Sequence, residues 1–77
     1  MSMTELVRFL VNALVSNKEA VCINETEDGI ITVSVDKADM GKVIGRQGKI
    51  AKSIRTIVKA ACAGGEKQYT VDILEAE

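Results

Sequence analysis

The chain contains no histidine, two cysteines, one phenylalanine and one tyrosine among its 77 residues. Without histidine the commonest general base is missing, and the usual nucleophile–base pairs cannot be assembled. Cys22 and Cys62 lie far apart in the sequence, without the Cys-x-x-Cys spacing of zinc sites. Neither a Walker loop nor a Gly-x-Gly-x-x-Gly fingerprint is present. We therefore expect no catalysis, no metal and no cofactor.

Long apolar runs are also absent, since none approaches the roughly 20 residues needed to cross a bilayer. The N-terminus lacks a basic segment followed by an apolar stretch and a small-residue cleavage site. We expect a cytoplasmic protein without membrane contact. In a reducing compartment two free, small and buried thiols are the expected state of Cys22 and Cys62, although a disulfide between them is the alternative.

The scarcity of aromatic residues bears on how the chain could bind nucleic acid. RRM, OB and cold-shock surfaces stack bases on aromatic side chains that their strands display. Phe9 and Tyr69 form no cluster in the sequence, and we interpret Phe9 as a packing residue, with a base-stacking platform as the alternative. Any such binding must therefore use loops and grooves rather than a sheet surface.

The chain has room for one domain, residues 1–77, with one modest core. Its charge is distributed unevenly along the sequence. The net charge is −1 and the pI is near 5.4. Residues 37–59 nevertheless carry seven basic side chains and one acidic, a local charge of +6, and the remainder carries −7. A basic face of this kind steers a polyanion while the acidic remainder repels wrong docking. The alternative is that these side chains only solvate an amphipathic helix.

Hydrophobic periodicity predicts a helix and a hairpin in the first half of the chain. The helix runs from about Thr4 to Val15 after a Ser2–Glu5 capping box. Its apolar stripe consists of Leu6, Leu10, Ala13 and Leu14, widened by Val7 and Val11. Alternating residues predict strands over 20–24 and 30–35, which the turn at Glu27-Asp28-Gly29 connects.

The second half predicts two helices and a final strand. Asp36 caps a short helix over 37–44, with Asp39 in its first turn. A longer helix over 49–62 ends at Gly64-Gly65, with a buried stripe of Ile50, Ile54, Ile57, Val58 and Ala61. The last strand, 67–74, follows a connection long enough for a parallel crossover. The predicted fold is α+β: helix-strand-strand-helix-helix-strand, with three helices on one face of a three-stranded mixed sheet.

Between the two later helices lies the turn Gly45-Arg46-Gln47-Gly48, with Arg46, Lys49 and Lys52 around it. Two glycines let another backbone approach closely, and a helix start leaves N–H groups without internal partners. Two glycines three apart occur by chance in about one chain of this length in three. Taken alone, the turn could therefore be a simple corner between helices.

Its surroundings give it more weight. The segment from Val43 to Ala51 resembles the KH domain signature V-I-G-x-x-G-x-x-I, with Ile50 one position before the signature's last isoleucine. The predicted order of elements is similar to that of the bacterial, type II KH domains. The resemblance covers essentially the whole chain and implies a domain that clamps about four nucleotides of single-stranded RNA.

The resemblance also implies which residues touch RNA. Arg46 would pair with a phosphate, Gln47 would offer an amide donor, and the N–H groups of Gly48 and Lys49 would face the same anion. Bases would turn into an aliphatic groove with a floor drawn from Val43, Ile44, Ile50 and Ile54 and from Ile31 or Val33. The alternative is a place in the plain core, which is favoured more for Ile54 and Val33 than for Ile44 and Ile50. The full predicted contact set is Lys42, Val43, Ile44, Gly45, Arg46, Gln47, Gly48, Lys49, Ile50 and Lys52.

For function, the resemblance implies a broad-specificity RNA chaperone or post-transcriptional regulator. The alternative is a protein-interaction or dimerisation module, because a small core gains from association. The partners implied are single-stranded RNA, a second copy of the chain in a homodimer, and a larger multidomain KH protein of the Jag (KhpB) type in a heteromer.

Overall fold

The computed structural model describes residues 2–74, so the outermost positions of the predicted 1–77 domain lie outside it. Three helices and three strands follow one another in the predicted order. The helices are α1 (Met3–Asn12), α2 (Met40–Ile44) and α3 (Lys49–Ala61). The strands are β1 (Cys22–Glu25), β2 (Ile30–Ser34) and β3 (Thr70–Ile73).

The sheet has the order β1-β2-β3, and the prediction of a mixed sheet is confirmed. β1 and β2 form an antiparallel hairpin, in which Ile23 is opposite Val33. β2 and β3 are parallel, with Ile31 beside Val71. The two helices between these parallel strands provide the crossover that such a pairing requires. The architecture is consistent with a KH-type fold.

The core lies between the sheet and the helical layer. Every second residue of β2 and β3 faces the core, as the two-residue period of a strand requires: Ile31, Val33, Val71 and Ile73. The helical layer contributes mainly Val7, Val11, Val43, Ala51, Ile54 and Val58. The opposite sheet face carries mostly polar side chains and the exposed Ile30: Cys22, Asn24, Ile30, Thr32, Ser34, Thr70 and Asp72.

Helix α1 begins as predicted, with a capping box. The Ser2 hydroxyl accepts from the Glu5 N–H at 3.1 Å, and the Ser2 N–H donates to the Glu5 carboxylate at 3.3 Å. The helix ends earlier than predicted, at Asn12 rather than Val15. Its most buried side chains are Val7 and Val11, whereas the leucines of the predicted stripe are half-buried and Ala13 is exposed.

Three predictions about burial are wrong. Phe9 is 65% exposed, so it is not a core packing residue. Cys22 is exposed on the open sheet face, although Cys62 is buried and both thiols are free. The buried residues of α3 are Ala51, Ile54 and Val58, followed by Cys62 just after the helix, whereas the predicted stripe residues Ile57 and Ala61 lie in solvent. The buried stripe is therefore centred on a neighbouring face of the helix.

Asp39 is the one charged residue buried in residues 2–74, at 2% exposure. Its carboxylate accepts hydrogen bonds from the backbone N–H groups of Ser16 (3.1 Å) and Asn17 (3.0 Å). Asp36 caps the Lys37–Asp39 turn through the Ala38 N–H, as predicted, and also accepts from the Asn17 side chain. Both carboxylates thus tie the loop after α1 to the segment that leads into α2.

These contacts predict a pH dependence of stability. Hydrogen bonds from the Asn17 and Ser16 N–H groups lower the pKa of Asp39 below the usual value for an aspartate. A depressed folded-state pKa adds stability above the unfolded pKa, which is lost as the pH falls through the folded pKa. We expect Asp39→Asn to lower the unfolding temperature at about pH 7, and the difference from wild type to shrink below the unfolded pKa of about 3.9. Thermal unfolding followed by circular dichroism across this range measures it. A difference in unfolding temperature that stays constant into the acid range would contradict the role given to Asp39.

Candidate nucleic-acid interface

The corner between α2 and α3 is built on two glycines in conformations that disfavour other residues. Helix α2 closes with a hydrogen bond from the Gly45 N–H to the Gly41 carbonyl oxygen at 2.9 Å. Gly45 then has φ +76° and Gly48 has φ +73°. A Cβ on Gly45 would lie 2.6 Å from Ile50 Cγ1 and 2.9 Å from the Ile50 backbone nitrogen. Gly45 is therefore required both by its φ and by the close approach of α3.

Between the glycines, the chain makes one tight turn over Arg46–Gly48. Gln47 adopts φ 58° and ψ 25°, a left-handed conformation that is uncommon for a residue with a side chain. Such conformations cost free energy and gather at ligand clamps and active sites. The turn leaves the Arg46 and Gln47 side chains exposed at the corner, in agreement with the predicted exposed middle pair.

The backbone N–H groups of the turn already have hydrogen-bond partners within the chain. The Gly48 N–H donates to the Gly45 carbonyl at 3.1 Å, and the Lys49 N–H donates to the carbonyl of Arg46. Both N–H groups that were assigned to a phosphate thus already have a partner within the turn, and their contact with an anion stays a prediction. Among the side chains of the turn, Arg46 offers the most hydrogen-bond donors.

Helix α3 extends this positive charge away from the corner. Lys49 and Lys52 are exposed in its first turn, and Lys52, Arg55 and Lys59 follow the i, i+3, i+7 spacing of a single helix flank. We call these last three residues the basic flank. At a rise of 1.5 Å per residue, Lys49 and Lys59 are about 15 Å apart along the helix.

The basic flank borders a cleft between α3 and the free edge of β3. The cleft has a volume of about 320 Å³ and is lined by Arg55, Lys59, Gln68, Tyr69, Thr70 and Val71. The Arg55 Nε donates to the Val71 carbonyl at 3.2 Å, which fixes the guanidinium at the strand edge. Sequence reasoning missed this cleft as part of the site. Arg55 and Lys59 were counted among the basic residues of 37–59. Their position beside β3 depends on the helical crossover between β2 and β3, which brings α3 next to that strand.

The predicted hydrophobic contacts divide into buried and accessible residues. Val43 is fully buried, so any effect it has on a ligand is indirect. Ile54, Ile31 and Val33 also belong to the core and do not form an open groove floor. Ile44 and Ile50 are half-buried beside the glycine corner and remain accessible from outside.

Lys42 lies one turn before the corner, but it already has a partner. Its ammonium forms an ion pair with Asp39 at 3.1 Å and donates to the Ser16 hydroxyl at 2.6 Å. In contrast, residues 2–74 provide no carboxylate partner within ion-pair distance for Arg46, Lys49 or Lys52. Lys42 is itself 49% exposed, so its partner, and not burial, distinguishes it from Arg46, Lys49 and Lys52.

Other kinds of site receive no support from the described residues. No group of three or more histidine, cysteine, aspartate or glutamate residues within 2–74 is arranged to hold a metal ion. Over the same residues, every helix is too short or too polar to cross a bilayer. The open sheet face presents no aromatic side chain on which a base could stack.

Comparison with known proteins finds similarity over nearly the whole chain. A family model described as "KhpA/KhpB, KH domain" matches residues 4–73. The chain is 48% identical to RNA-binding protein KhpA of Caldanaerobacter subterraneus subsp. tengcongensis over 75 residues, which cover 94% of this chain and 100% of that protein. It is 47% identical to RNA-binding protein KhpA of Clostridium perfringens, with the same coverage. It is 45% identical to RNA-binding protein KhpA of Listeria monocytogenes over 76 residues, with 95% and 100% coverage.

No solved structure gives a significant match to the chain. The family model spans most of the chain, and the three relatives match it over their entire length. The resemblance noted from the glycine turn is thereby confirmed. The chain belongs to the KhpA/KhpB family of KH domains.

Proposed function

We propose that this chain binds single-stranded RNA across the Gly45–Gly48 corner. The single observation that carries the proposal is the exposed Arg46–Gln47 pair, held between two glycines, at the start of a helix that carries exposed Lys49 and Lys52. An RNA phosphate carries a negative charge, and KH loops clamp a backbone of about four nucleotides. The three relatives described above are all named RNA-binding proteins, and none is named as an enzyme.

The proposed path of the RNA follows the positive surface. Arg46 pairs with one phosphate, Gln47 donates an amide hydrogen bond, and Lys49 and Lys52 neutralise the neighbouring phosphates. Ile44 and Ile50 offer apolar contact beside the corner. The RNA then continues along the basic flank toward the cleft at the edge of β3, where Tyr69 is half-buried.

Broad specificity follows from the composition of this surface. Phosphate contacts position a nucleic acid without reading its sequence, and the open sheet face has no stacking platform. We therefore assign the domain to general RNA handling in the cytoplasm, as a chaperone or post-transcriptional regulator. Equal affinity for single-stranded RNAs of unrelated sequence would support this assignment.

Replacing Arg46 and Gln47 together by aspartate tests the corner directly. Two anions would then lie where the phosphate binds, so RNA affinity should fall at least tenfold for a penalty of about 1.4 kcal/mol. The side chains are exposed, so circular dichroism and the unfolding temperature should change little. Fluorescence anisotropy with a labelled single-stranded RNA measures the affinity. As a matched control, Glu27→Gln changes an exposed charge at the hairpin tip and should leave affinity near the wild-type value. Unchanged binding by the double variant would refute the proposal.

The salt dependence of binding tests the number of phosphate contacts. Each neutralised phosphate on a single strand contributes about −0.7 to the slope of log affinity against log salt concentration. Contacts from Arg46, Lys49 and Lys52 thus contribute roughly −2 to the slope, and each further contact along the basic flank adds about −0.7. A slope near zero would indicate that cation–phosphate contacts do not hold the RNA and would favour a protein-interaction module.

Self-association is the second candidate function, because two large apolar side chains of the helical layer lie in solvent. Phe9 on α1 is 65% exposed and Ile57 on α3 is 43% exposed, and the two helices pack against each other. A homodimer with an isologous interface would cover this surface on both copies. The larger multidomain KH protein of the Jag (KhpB) type is the proposed alternative occupant, in a heteromer of two KH domains.

Ile57→Lys tests this second candidate. We expect the wild-type chain to sediment at twice its mass of 8.3 kDa and the variant to sediment as a monomer, since the lysine places a charge in an apolar contact. Asn24→Lys adds the same charge at an exposed position on the open sheet face, away from the helical layer, and serves as a control for charge alone. A wild-type mass of 8.3 kDa at micromolar concentration would contradict the homodimer and leave the heteromer to be tested by mixing the two proteins.

A further inference from the structure

Helix α2 carries the glycine corner, yet it contains only five residues. Isolated helices shorter than about 12 residues are marginal in water, so the direction of α2 depends on contacts with the rest of the fold. Its apolar contacts come from Val43, which is fully buried in the core, and from Met40 and Ile44, which pack against that core. A polar contact lies at the beginning of the helix, where the Asp39 carboxylate binds the loop that follows α1.

The Asp39 carboxylate has a full set of partners. One oxygen accepts from the Ser16 N–H, and the other accepts from the Asn17 N–H. The Lys42 ammonium lies 3.1 Å from the carboxylate and also donates to the Ser16 hydroxyl. The three residues Ser16, Asp39 and Lys42 thus form a closed hydrogen-bonded cluster, which we call the clamp.

We propose that the clamp is a positioning device for the RNA-binding corner and that Lys42 belongs to it instead of contacting phosphate. This inference rests on the proposed function and corrects the predicted contact set, in which Lys42 was an RNA ligand. Asp39 and Lys42 act through the direction of α2, whose last hydrogen bond, from Gly45 to Gly41, sets the start of the corner.

Electrostatics separates Lys42 from the other lysines of the surface. A phosphate that approached Lys42 would also approach the Asp39 carboxylate, and the two anions would repel. Transfer of Lys42 to the phosphate would take the counter-ion from the buried Asp39 carboxylate, which would keep only the Ser16 and Asn17 N–H groups as partners. Lys52 is exposed and has no carboxylate within ion-pair distance in the described part of the chain. It therefore makes a matched control with the same chemistry.

The experiment compares Lys42→Gln with Lys52→Gln by measuring RNA affinity over a series of salt concentrations. Each variant removes one positive charge. Lys52→Gln should make the log–log slope shallower by about 0.7, because one phosphate contact is lost. Lys42→Gln should keep the wild-type slope but lower the unfolding temperature, which Lys52→Gln should not do. A slope that is shallower by about 0.7 for Lys42→Gln would overturn the inference.

Asp39→Asn tests the positioning role from the other side of the ion pair. We expect it to weaken RNA binding at every salt concentration without changing the slope. In the Asp39→Asn background, the further change Lys42→Gln should have little effect on the unfolding temperature, because the two residues act as a pair. Wild-type RNA affinity in a folded Asp39→Asn protein, or additive effects of the two substitutions, would overturn the inference. A failure of the proposed function itself would give a different result, because the wild-type chain would then bind RNA weakly or without salt dependence.

Discussion

The contact between Gly45 and Ile50 is the constraint on which the site depends. Helix α3 can begin directly against the end of α2 only because Gly45 has no Cβ and adopts a positive φ. This close approach turns the chain sharply and projects Arg46 and Gln47 into solvent. It also places the first turn of α3, with Lys49 and Lys52, immediately behind them. A larger residue at position 45 would force the two helices apart and move every cation of the corner.

Several parts of this arrangement could be predicted from the sequence, because they depend on local patterns. The Ser2–Glu5 capping box, the alternating strands and the glycine turn each involve residues close together in the chain. Burial was harder to predict where it depends on distant partners. The apolar residues of α3 lie on more than one face, and the packing of the sheet decides that Ala51 is buried and Ile57 is exposed. Asp39 looks like an ordinary first-turn acid, since its partners Ser16 and Asn17 come from the loop after α1.

The roles of the charged residues also depend on contacts between distant parts of the chain. The sequence locates seven basic residues between 37 and 59, but only the fold sorts them into different roles. Lys42 neutralises a buried carboxylate, and Arg55 binds the edge of β3 through the Val71 carbonyl. Arg46, Lys49 and Lys52 remain directed to solvent. A net charge of −1 is thus compatible with RNA binding, because the positive potential is concentrated at one corner and along one helix flank.

The central claim is that RNA lies across the glycine corner, and amide chemical shifts during an RNA titration test it residue by residue. The ¹⁵N-labelled chain would be titrated with a short single-stranded RNA. The account predicts the largest shift changes at Gly45, Gln47, Gly48 and Lys49, with smaller changes along the basic flank and none on the open sheet face at Asn24 or Thr32. Changes confined to the open sheet face, with an unperturbed corner, would contradict it.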